Sequence, residues 1–96
     1  GFSGDGFYLL DEPEAALSPN RQLAALAVID RLVKEGAQFI IATHSPILLA
    51  YPNAKILSFD AGGIAEIAYE DTEHYAITRD FLNHYPRRLE QLLDED

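Results

Sequence analysis

The sequence predicts an α/β fold: a partial parallel sheet built on a βαβ unit, followed by a β-hairpin and C-terminal helices. Three observations predict it. "FYLL" (Phe7 to Leu10) and "QFIIAT" (Gln38 to Thr43) are short, unbroken apolar runs, the pattern of strands covered on both faces. Between them lies one segment with helical periodicity and a defined start and stop. After them come two further strand-like runs around a Gly-rich turn.

Each element has its own cause. "GFSGDG" is turn-rich and reads as a lead-in loop. Ser18-Pro19 supplies a helix N-cap followed by proline at the first helical position, where a missing N–H costs nothing. The helix is expected to run to about Glu35, with Leu23, Leu26, Ile29 and Val33 on its covered face and Gly36 as its stop. A strand, a helix and a strand joined by short links place the two strands parallel. Ser45-Pro46 repeats the cap-plus-proline pattern and opens a short helix through about Ala50. "AKILSFD", "AGG" and "IAEIAY" form an antiparallel hairpin. Thr72 caps a helix from about Glu73 to His84, and Pro86 opens another through about Leu93, with Leu89, Leu92 and Leu93 as an apolar stripe. "DED" at the end reads as a frayed acidic tail. With no internal repeat and no linker, residues 1–96 are expected to form a single structural unit.

Composition narrows the function. Sixteen acids against seven bases leave a net charge of −9, so this segment is a poor match for nucleic acid or an anionic membrane. The absence of cysteine removes disulfide and thiolate-metal chemistry. The longest apolar runs are far short of a membrane span and no signal-peptide pattern opens the chain, which together suggest a cytoplasmic protein.

The parallel arrangement puts Asp11 and Glu12 at the carboxyl end of the first strand and His44 at that of the second, the rim where open α/β sheets bind ligands. A carboxylate there can hold a hard cation such as Mg²⁺ or take a proton from an attacking water. An imidazole on the neighbouring strand can donate to a phosphoryl oxygen as charge builds on it. No serine or cysteine nucleophile with a plausible base is evident, so the set matches phosphoryl transfer better than acyl transfer. His74 and His84 read as surface or packing residues, and Glu14 as an acid favouring the N-terminal side of the coming helix.

Taken together, "FYLLDEP" resembles the Walker B strand of ABC-type ATPases, "EAALSP" (Glu14 to Pro19) stands where that family carries its D-loop, and "IIATHSP" (Ile40 to Pro46) resembles its H-loop strand and histidine. The hairpin "KILSFDAGGIAEI" looks like the strands that close such heads. The resemblance implies the C-terminal half of a P-loop NTPase fold. It also implies roles: Asp11 on the Mg²⁺ of bound MgATP, Glu12 polarising the attacking water, His44 at the γ-phosphate. Glu14, Ala15, Ala16, Leu17 and Ser18 would form the loop that meets a second head. "DEPE" in place of "DEPT" leans towards soluble heads related to DNA-repair and chromosome-organising ATPases.

The departures are equally specific. No G-x-x-x-x-G-K-[ST] Walker A loop and no Q-loop is present. "SGDG" abuts the Walker B strand and is not the family's signature, and the D-loop lacks the usual Ser-Ala-Leu-Asp. The chain is therefore expected to be the C-terminal part of a larger ATPase, inactive alone, with the Walker A groups supplied by an upstream segment or another chain. Two other readings stay open: a metal-dependent phosphohydrolase or nuclease using Asp11, Glu12 and Glu14, and a non-catalytic interaction module pairing through its sheet edge or its Leu89-Leu92-Leu93 stripe.

Overall fold

The computed structural model describes residues 6–94. The expected lead-in loop, apart from Gly6, and the last two acidic residues lie outside the described residues. The chain divides into two compact units, residues 1–54 and residues 55–96.

In the first unit, strands β1 (Phe7–Asp11) and β2 (Gln38–Ala42) pair in parallel, with Phe7 opposite Gln38 and Asp11 opposite Ala42. Register partners Tyr8 and Phe39 stack with ring centroids 4.8 Å apart. Both strands alternate between exposed and half-buried positions. Tyr8, Leu10, Phe39 and Ile41 are half-buried. Phe7, Leu9 and Ile40 are 58%, 68% and 59% exposed, so the strands are covered on one face, not on both as their unbroken apolar character implied. One crossover helix supplies one covering layer.

That helix, α1, spans Pro19–Lys34, and its ends are set by local chemistry. The Ser18 hydroxyl accepts from the Arg21 amide at 3.2 Å, satisfying one of the first-turn donors that have no intrahelical partner. At the other end Gly36 adopts φ 104°. There the Gly36 amide donates to the Val33 carbonyl, and the Ala37 amide to that of Leu32, both at 2.9 Å, which is the Schellman closure. Leu32 and Ala37, the two positions at which this motif commonly carries apolar residues, are both buried. The covered stripe differs from the expected one. Leu26 and Ile29 lie on it with Ala25 and Leu32, whereas Leu23 and Val33 are exposed. Gln22 occupies the half-buried side of the first turn, where its amide donates to the Leu17 carbonyl at 3.1 Å. After β2 the expected short helix is a single 3-10 turn, Leu48–Ala50. Its approach is capped by the Ser45 hydroxyl, which accepts from the Ile47 and Leu48 amides at 3.1 Å each. Tyr51 closes the unit by donating to the Asp30 carboxylate at 2.9 Å.

In the second unit, β3 (Ile56–Asp60) and β4 (Gly63–Ile67) form the antiparallel hairpin. Its tip is closed by the Gly62 amide on the Asp60 carboxylate at 2.8 Å. Helix α2 (Glu73–Leu93) is capped by Thr72, whose hydroxyl accepts from the Tyr75 amide and donates to the Tyr69 carbonyl. The expected break falls at His84, φ −138° and ψ 26°. Pro86, two residues on, has no N–H for the helical ladder, and its ring crowds the carbonyl four residues back. Leu89, Leu92 and Leu93 are exposed. No helix among the described residues is long and apolar enough to cross a membrane.

Candidate functional site

The parallel ladder delivers the site. Beyond the last paired residues, the Glu12 amide still donates to the Ala42 carbonyl at 2.7 Å, so Glu12 and Thr43 leave their strands side by side. Glu12 then turns into the left-handed region, φ 47° and ψ 53°. That conformation costs a side-chain-bearing residue roughly 1–2 kcal/mol. It breaks the strand's direction sharply, so adjacent Asp11 and Glu12 are not carried along one line. The segment Pro13–Ala16 follows as a 3-10 turn, held by the Ala15 amide on the Glu12 carbonyl and the Leu17 amide on the Glu14 carbonyl.

The structure brings Glu12 and His44 into direct contact, with Nδ1 of the imidazole 2.9 Å from Oε1 of the carboxylate. An ionised carboxylate only accepts, so Nδ1 carries the proton in this pair. Both side chains are more than half exposed, so the pair faces solvent and is open to a ligand. Glu14 joins them. Its Oε1 accepts from the Thr43 hydroxyl at 2.6 Å and its Oε2 from the His44 amide at 3.0 Å. Burial pushes the Glu14 carboxyl up, but the bonds from the Thr43 hydroxyl and the His44 amide, with smaller help from its own amide and the nearby His44 ring, hold the group below its ordinary value. Ser45, itself buried, completes the rim: its amide donates to the Thr43 hydroxyl at 3.0 Å and its hydroxyl donates to Gln22 Oε1.

One donor atom each from Glu12, Glu14 and His44 lies within 4.8 Å of the others. Asp11 ends β1, exposed, and is not a member of that group. As a cation site the trio is poorly suited to Mg²⁺, which favours oxygen ligands in near-ideal octahedral geometry. Both Glu14 oxygens and one of Glu12 already take hydrogen bonds from within the chain. Of the other residues in the expected D-loop, Ala15 and Ala16 are exposed, Leu17 is half-buried and Ser18 caps α1. His84 lies on α2, in the second unit, with its Nδ1 3.0 Å from the Asp80 carbonyl oxygen.

Sequence reasoning placed Glu12 and His44 but missed Thr43 and the Gln22–Ser45 link. The one available signal for Thr43 was its position immediately after β2, where a hydroxyl can replace a lost ladder partner.

A model of the family described as "AAA domain, putative AbiEii toxin, Type IV TA system" matches residues 2–50, which is 49 of the 96 residues. The chain belongs to this family. It is thereby a member of the P-loop ATPases of ABC type, for which ATP is the family's ligand. The cobalt import ATP-binding protein CbiO of Salmonella typhimurium (strain LT2) is 31% identical to it over 84 residues, covering 79% of this chain. The alignment spans 31% of that relative's length. Neither likeness favours the DNA-repair and chromosome-organising heads over transporter heads, so the leaning drawn from Glu14 is not supported. The matched residues of the family model fall within the first unit, which carries the whole strand-tip cluster.

Proposed function

We propose that this chain is the water-activating half of an ABC-type ATPase head. The observation that carries the reading is the Glu12–His44 contact, 2.9 Å, at the carboxyl ends of two parallel strands. Glu12 is the general base: Oε1 is engaged by His44, and Oε2 is the oxygen available to a water. The carboxylate takes a proton from that water as its oxygen attacks the γ-phosphorus, and the bond to the ADP oxygen breaks. His44, oriented by Glu12 through Nδ1, would in its doubly protonated form direct its Nε2–H at the charge growing on the γ-phosphate. The exposed carboxylate of Asp11 offers the oxygen donor that Mg²⁺ prefers, and would hold the Mg²⁺ of MgATP, directly or through water. When bound, that ion neutralises charge on the phosphates.

The remaining parts come from elsewhere. The sequence holds no Walker A loop, so the phosphate cradle belongs to an upstream N-terminal segment or to another chain. The open apolar face at Phe7, Leu9 and Ile40 supports this, because it offers a surface for a further layer of the same head. Residues Glu14 to Ser18 would meet a second head, and the chain alone would hydrolyse ATP negligibly.

The test is Glu12→Gln in the assembly that supplies the Walker A loop. MgATP turnover is expected to fall by about 10²- to 10⁴-fold, the usual contribution of a positioned base, while ATP stays bound. Unchanged turnover would overturn the reading. So would metal-dependent phosphodiesterase activity from the chain by itself without ATP.

A further inference from the structure

We propose that Glu14 is a positioning residue for His44: its one carboxylate holds the Thr43–His44 peptide so that the imidazole stays on Glu12. The inference rests on the reading of Glu12 and His44 given above and assigns the residue that keeps them together.

The need for such a residue follows from the end of the ladder. Past Ala42, β2 has no strand partner among the described residues, so the amides of His44 and Ser45 must find acceptors elsewhere. Glu14 takes the His44 amide on Oε2 and the Thr43 hydroxyl on Oε1. The same hydroxyl takes the Ser45 amide, so three consecutive residues are fixed from a single carboxylate. A two-point grip fixes the orientation of the peptide as well as its place. The imidazole hangs from that peptide, and its Nδ1 reaches Glu12 only if the peptide keeps this orientation. On the far side Gln22 holds the Ser45 hydroxyl and donates to the Leu17 carbonyl, so the histidine loop is tied to the 14–17 segment at both ends. The ionised form of Glu14 is the form these donors require, and its carboxyl is held on that side of its ordinary value.

Two readouts test this, one of which needs no nucleotide. In the 96-residue chain, Glu14→Ala is expected to speed hydrogen exchange of the His44 amide by about tenfold, the loss of one charge-assisted hydrogen bond. It should also move the His44 ring ¹⁵N resonances away from the Nδ1–H···carboxylate signature. Glu14→Gln, which keeps one acceptor for the His44 amide, should fall between the two, and it carries the same test if Glu14→Ala does not fold. In the assembled ATPase, Glu14→Ala should lower kcat about tenfold with KM for MgATP within about twofold, because the group acts through His44 and not on substrate. Ring and amide signals that do not change would overturn the proposal, as would an unchanged kcat in a variant whose ring signals have moved. An inert Glu12→Gln would instead remove the ATPase reading and leave the ring readout standing.

Discussion

The two units are held by different kinds of contact. In the first, side chains bridge long stretches of sequence: Glu14 to Thr43 across 29 residues, Glu12 to His44 across 32, Gln22 to Ser45 across 23 and Asp30 to Tyr51 across 21. In the second, the bonds that shape the hairpin tip and the helix start are local: Asp60 to Gly62, Tyr69 to Thr72 and Thr72 to Tyr75. Local bonds make elements. Long-range bonds between loops place side chains from distant parts of the chain within hydrogen-bond distance, which chemistry requires. The candidate site is accordingly found in the first unit.

That contrast can be broken most severely at the carboxylates. Glu12→Gln is expected to cost the assembled ATPase two or more orders of magnitude in turnover. Glu66→Gln, an exposed carboxylate on β4, should leave turnover within about twofold. Equal losses would mean that the division of labour between the units is wrong.

A smaller effect tests whether local capping also matters to the first unit. Gly36→Ala forces a side chain into φ 104° and should lower the unfolding free energy by roughly 1–2 kcal/mol, measured by denaturant titration. No change would show that the Schellman closure of α1 is not needed to hold the crossover in place.

The smallest effect concerns acid. Because the folded-state carboxyl of Glu14 lies below the ordinary 4.5, its support for the fold is complete above that pH and is lost as pH falls through the lower folded value. Wild type and Glu14→Gln should therefore differ in thermal midpoint at neutral pH and converge as pH drops below 4.5. A gap that stays constant down to acid pH would mean that the Thr43 and His44 bonds do not favour the ionised form.

Much of this architecture was legible in the residues. Ser18-Pro19, Gly36 and Thr72 are end signals whose chemistry is local, and each acts where the sequence puts it. Pro86 foretold the break in α2 for the same reason. Of the site, the sequence disclosed that Glu12 and His44 stand at neighbouring strand tips, since parallel pairing alone requires it. The left-handed turn at Glu12 was not legible, because nothing about a glutamate before proline favours that region. Nor was the grip of Glu14 on Thr43 and His44, or of Gln22 on Ser45. Those contacts depend on how two loops meet, and neither loop's composition specifies its partner. The covered face of α1 was misjudged by part of a turn, since Leu23 and Gln22 are adjacent and a polar residue with two hydrogen-bond partners can take the inner position. Apolar strands concealed the open face in the same way: hydrophobicity shows that a surface wants cover, not whether these residues provide it.

A double-mutant cycle on Glu12 and His44, read as MgATP turnover of the assembled ATPase, probes the shared site most directly. If the two act as one unit across their 2.9 Å contact, Glu12→Gln with His44→Ala should be no slower, within about threefold, than the worse single variant. Losses that multiply would mean that the two side chains act independently, and the strand-tip pair would not be the catalytic unit.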